Sequence, residues 1–213
     1  MAASPPPRPP TDASSLADAM GGTRGVAESS IPPAAFVIAY TATGQDAELS
    51  AVLALVAAGL LTVARLVRGE TLRYAMAGLF GVGLAAFVVS RSGRAEDFFL
   101  PGLLLNAAYA GGYLLSIVIR RPLVGVLVAA IMQRRGWRED PVQLRAFTLA
   151  SWVWVGLFSL RLAVQLPLYL AGATVPLGVA RVAMGLPLFA IGVWLTWLVI
   201  RETPVVKGEP APA

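Results

Sequence analysis

Cysteine and histidine are absent from this sequence, and lysine occurs once, at Lys207, among 17 basic residues. The two absences remove disulfides, thiol nucleophiles, imidazole bases and the usual ligands of zinc, haem and iron–sulfur clusters. Serine and carboxylates are present, but without His or Cys no nucleophile–base pair presents itself. The expectation is therefore a non-enzymatic chain with no catalytic residue, no cofactor and no metal. Charge is also scarce, at 14% of residues against 57% hydrophobic, with a mean hydropathy of +0.71. A soluble domain is more polar than this, and 213 residues suffice for one compact bundle only.

What is abundant is long apolar sequence. Residues 149–171, LASWVWVGLFSLRLAVQLPLYLA, carry one charge, Arg161. A bilayer core of about 30 Å takes roughly 20 helical residues at about 1.5 Å each, so this run predicts a transmembrane helix. An arginine inside it needs a partner or a polar cavity. The same arithmetic makes spans of residues 49–67, 72–89, 98–119, 147–170 and 177–200. Residues 31–43 reach only about 20 Å as helix; they form a thin or re-entrant first span, with Pro32 and Pro33 suited to its first turn. Residues 123–132 are too few to cross and read as an interfacial helix, or as a continuation of the fourth span bent at Pro122. Pro-, Ala- and Ser-rich residues 1–30 and polar residues 201–213 read as disordered tails. The fold class expected is all-α, a polytopic membrane bundle of about six transmembrane helices over residues 31–200.

Orientation follows from the arginines. With six spans and both termini inside, thirteen basic residues lie on the inner side and only Arg91 and Arg94 on the outer, the bias of cytoplasmic loops. The chain is thus expected in the cell (inner) membrane, multi-pass, with both ends cytoplasmic and the lipid bilayer as its partner. Its net charge of +5 belongs to the membrane edges and not to a nucleic-acid surface. Arg120, Arg121, Arg134, Arg135 and Arg138 form an inner cluster suited to anionic lipid head groups, although orientation alone produces the same pattern.

Laying the spans side by side levels Arg161 with Asn106, about 12–14 Å below the outer surface. Gln165 shares the helix face of Arg161, and Tyr109 and Tyr113 share that of Asn106. Arg181, Asp46 and Glu48 are close in depth, which completes a candidate polar pocket opening outward. Intramembrane ionisable groups mark solute paths; Arg161 could equally lock helices by bonding Asn106 and a backbone carbonyl. No carboxylate lies deep in any span, as proton or cation coupling usually needs, and an anion path stays open. Pro167 and Pro187 read either as simple kinks or as the interruptions of broken-helix transporters. The run GLFGVG, residues 78–83, sits in an apolar span without lysine and reads as a helix-packing face.

The order FVIAYTATGQDAE, SRSGRAEDFFLPG, NAAYAGGYLLSIVIRRPLVG, GWREDP, SLRLAVQLPLYL and ARVAMGLPLFAIGVWLTW resembles the actinobacterial integral-membrane family catalogued as domain of unknown function 3159, over residues 29–201. More distantly the layout resembles the intracellular septation protein A family, whose polar start of a span corresponds to Phe99, Leu100, Pro101 and Gly102, without that family's threonine. Neither resemblance implies a reaction, ligand or catalytic residue; the first implies a genomic context near potassium uptake. The reading favoured at this level is an accessory or scaffold protein of the cell envelope, acting through helix packing, lipid contact, a membrane-protein partner or a second copy. The alternative is a small transporter or channel for an ion or small anionic solute at the Arg161 pocket.

The threading is directly testable because no native cysteine interferes. Single cysteines replacing Ala47 and Ala173 should react with an impermeant maleimide on intact cells, and one replacing Gln143 should not. The reverse labelling pattern overturns the orientation.

Overall fold

The computed structural model describes residues 28–69, 72–131 and 136–203, with side chains of 72–75 excepted. The remaining tail residues, Arg134, Arg135 and the side chain of Arg73, on which some of the above expectations fall, lie outside that description. The described chain runs through α1 (Ile31–Ala42), α2 (Ala47–Val67), α3 (Leu72–Ser92), a 3-10 turn (Ala95–Phe99), α4 (Leu100–Val118), α5 (Leu123–Ile131), α6 (Pro141–Leu170), α7 (Thr174–Ala183) and α8 (Leu186–Ile200). There is no strand among the described residues, and the fold class is the expected all-α bundle.

Four segments are long and apolar enough to cross a membrane: Ala47–Val67, Ala95–Val118, Pro141–Leu170 and Thr174–Ile200. Large apolar side chains cover their outer faces, with Leu104 62% and Leu170 72% exposed. Such surfaces are unfavourable in water and neutral in lipid, which makes this a membrane protein. The first apolar segment is short. With 12 residues, α1 reaches about 18 Å, and its antiparallel packing on α2 takes it only part of the way along that helix.

Two helix starts are fixed by carboxylates. Asp46 caps α2 by accepting from the Leu49 amide at 2.9 Å. Asp140 caps α6, accepting from the Val142 amide and, at 2.8 Å, from the side-chain amide of Gln143. That amide bond holds the Asp140 carboxyl below the usual carboxylate range. At 30 residues, α6 measures about 45 Å, longer than a bilayer core of about 30 Å.

After α4 the chain turns through Arg120, in the left-handed region at φ 55°, and Pro122 before α5 begins. Residues 123–131 are therefore not a continuous extension of the helix of the fourth span. Nine-residue α5 is a separate helix whose buried Val124 and Val128 join Phe147, Trp137 and Ile200 in one core. Its first amides are satisfied by neighbouring helices: Leu123 N donates to Ser116 Oγ at 3.1 Å and Val124 N to Ser151 Oγ at 3.3 Å. Side chains thus supply the acceptors that a helix N-terminus lacks.

A second core lies toward the Asp46 end, where Phe36 of α1 stacks on Phe98, ring centroids 4.0 Å apart, and meets Phe99 edge-on at 5.6 Å. Small residues of α2, Ala51 and Ala54, and Leu177 of α7 complete it. Close approach of α1 to α7 depends on Gly178, because a Cβ there would overlap Val37 Cγ2. Residues 28–30, read from sequence as tail, pack against this body: Glu28 bridges Arg65 at 2.8 Å and Arg68 at 3.0 Å.

Gly178→Ala should accordingly lower stability by about 1–3 kcal/mol through overpacking. Gly83→Ala, where a Cβ meets nothing within 4 Å, should be neutral or raise it slightly through helix propensity. Thermal unfolding in one detergent compares the two.

Candidate functional site

The last apolar segment is broken. Helix α7 ends at Ala183 and α8 begins at Leu186, with Gly185 between them at φ −70°, ψ −96°. Pro187 in the first turn of α8 has no N–H to offer back across the break. Carbonyls left over at such a break must find donors within the bundle. Arg161 on the facing helix α6 supplies one: its Nη2 donates to the Met184 carbonyl and, at 2.9 Å, also to that of Gly185, which the Phe189 amide already serves at 3.2 Å. A cation also complements the negative end of α7. Pro167, by contrast, lies within α6, which continues to Leu170. Only the second of the two prolines accompanies an interruption.

Beside this contact lies a cavity of about 480 Å³ walled by α4, α6, the α7–α8 break and the start of α1. Asn106, Tyr109, Arg161, Gln165 and Arg181, singled out from the sequence, all line it. Asp46 and Glu48 do not: they border a separate recess between α2 and α3, with Ala86 and Ser90. Depth brought them into the expected cluster, but their position around the bundle axis takes them away from it. The expected bond between Arg161 and Asn106 is also replaced by the two carbonyl contacts, although both residues face the cavity.

Arg181 has a different environment. Its Cζ stands 6.0 Å from the Phe99 ring centroid, a cation–π distance. Space for its guanidinium comes from Gly102, where a Cβ would overlap it. Among the described residues, no Asp or Glu lines the cavity. The nearby acids are engaged elsewhere: Glu96 pairs with Arg94 at 2.8 Å, and Asp97 accepts from the Tyr169 hydroxyl at 2.6 Å. Two further polar atoms in the wall are buried without a hydrogen bond among the described residues, Arg161 Nε and Gln165 Oε1.

The rest of the wall is aromatic. Trp154 lies with centroids 6.0 Å from Phe158, 5.6 Å from Phe189 and 6.1 Å from Tyr113, and Tyr109 lies 5.2 Å from Phe158. The indole N–H of Trp154 donates to Thr196 Oγ1 at 3.0 Å. Sequence reasoning left out Trp154 and Phe158, though they precede Arg161 by two turns and one turn on the same face of α6, which was a usable signal. Ser29 and Ser30, also in the wall, carried none. A second cavity of about 600 Å³ between α1, α2, α3 and α4 shares Arg181, Gly102 and Leu105 with the first and extends to the Glu28–Arg65 pair.

Of the expected basic cluster, Arg120, Arg121 and Arg138 are exposed on the loops around α5. Arg138 lies over the Trp137 ring at 5.2 Å.

No curated protein and no solved structure matches the chain. A family model does match it, over residues 20–207. That span takes in every described helix and the described walls of the two cavities, and the chain belongs to the family described as protein of unknown function (DUF3159).

Proposed function

We propose that this is a multi-pass protein of the cell membrane, with both termini cytoplasmic, that binds a small anionic solute between Arg161 and Arg181 and carries it across. No chemistry is performed on the solute, and the lipid bilayer is the protein's working environment. The observation that carries this reading is two guanidinium groups facing one cavity whose lining, among the described residues, contains no carboxylate. Cations without a counter-charge are costly inside an apolar body, and an arriving anion relieves that cost. The volume of about 480 Å³ falls within the range of small-molecule pockets.

A scaffold role draws support from a different observation, the bonding of Arg161 to Met184 and Gly185. The two arginines therefore divide the work: Arg161 holds the break and Arg181 is available to the solute. Arg161→Ala should cost about 1–2 kcal/mol, the upper range for interhelical polar contacts in membranes. Arg181→Gln should leave assembly near that of the parent.

Purified protein in detergent tests the reading. Thermal unfolding should move upward with particular anions at constant ionic strength, and proteoliposomes should take up those anions. Arg181→Gln should lose both responses while remaining folded. Anion-independent melting together with silent proteoliposomes would leave the scaffold role instead.

A further inference from the structure

Resting on the anion reading, we propose that the solute is a small carboxylate with an apolar or aromatic tail and a neutral O–H or N–H donor next to the carboxylate, as in 2-hydroxy acids and N-acylated amino acids. Each part of that description answers a part of the wall.

The carboxylate answers the arginines. Planar guanidinium groups match carboxylate oxygens in geometry as well as charge, and Arg161 keeps Nε without a partner after bonding the two carbonyls. The neighbouring donor answers Gln165. This side chain is 1% exposed, lines the cavity, and leaves Oε1 without a donor. It stands one helical turn from Arg161, on the same face of α6, where side chains are neighbours. A carboxylate offers no proton to that oxygen, so satisfying it needs a further group on the ligand. The group must be neutral: two arginines and no acid among the described residues of the lining oppose an ammonium, which excludes free amino acids.

The tail answers the aromatic wall. Along α6 away from Gln165, Arg161 is followed by Phe158 and then Trp154, and Tyr113 and Phe189 close around the same space. Phosphate, sulfate or chloride would occupy the arginine end and leave this surface without contact. A phenyl or branched alkyl group fills it.

The experiment compares four sodium salts or zwitterions on the full-length protein in detergent, by titration calorimetry and thermal unfolding at matched ionic strength. These are 3-phenyllactate, 3-phenylpropionate, phenylalanine and phosphate. Phenyllactate should bind about tenfold or more tightly than phenylpropionate, since a buried acceptor left unpaired is penalised. Phenylalanine and phosphate should bind far more weakly than either. In Gln165→Leu the advantage of phenyllactate should vanish while phenylpropionate binding is retained. Equal binding of phenyllactate and phenylpropionate by the parent protein overturns the neighbouring donor. Preferred binding of phosphate, or of phenylalanine, overturns the proposed class while leaving an anion or solute site in place. Absence of binding by every compound, with a correctly folded protein, overturns this inference and counts against the anion reading, whose separate test is the wider anion series. The comparison on the parent stands even where Gln165→Leu does not fold.

Discussion

Main-chain carbonyls have no water to turn to inside a membrane, and this bundle depends on how that constraint is met at Met184 and Gly185. The remedy comes from Arg161, a side chain that a membrane otherwise disfavours. Each feature makes the other tolerable: the break gives the guanidinium acceptors, and the guanidinium gives the break donors. One consequence is geometric. A long side chain reaching from α6 to the α7–α8 junction holds the helices at a distance that dense apolar packing would not leave, and the cavity occupies that space.

Elsewhere the bundle is drawn tight by small residues. Ala51 and Ala54 accept the Phe36 ring system, and Gly178 admits Val37. Lipid gives helices no hydrophobic incentive to associate, so close contact of this kind provides much of the cohesion. The same absence of a side chain serves the opposite end at Gly102. There the vacated volume is taken by the Arg181 guanidinium and not by a neighbouring helix. Packing and site construction thus draw on one resource, and glycine at 178 and at 102 is required for different reasons.

Much of the fold was legible because apolar length is a direct measure of reach. That arithmetic found the long segments, the brevity of residues 31–43, and the shortness of the helix over residues 123–131. It left open whether the last of these lay in the interface or prolonged the fourth span, since the answer depends on Ser116 and Ser151 receiving its first amides. The candidate cluster was legible to the extent that depth could carry it. Depth and helix face together united Asn106, Tyr109, Arg161, Gln165 and Arg181. They failed for Asp46 and Glu48, because depth says nothing of angular position around the bundle. The partner of Arg161 was also hidden: Gly185 and Pro187 mark an interruption, but an acceptor formed by unwound backbone has no residue type by which to recognise it.

The shortness of α1 bears on how the molecule comes to exist. A helix of 12 residues is a poor substrate for independent membrane insertion, which favours about 20 apolar residues. Its supports are α2, made immediately after it, and α7, made near the end of synthesis, against which Gly178 lets it lie. The first described element consequently reaches its final seat only after one of the last has entered the bilayer. Biogenesis closes as a ring, and until the closing contact forms the wall that Ser29, Ser30 and Pro33 contribute to the cavity is missing. A fully synthesised chain that has not yet closed this contact therefore has the arginines but not the enclosure.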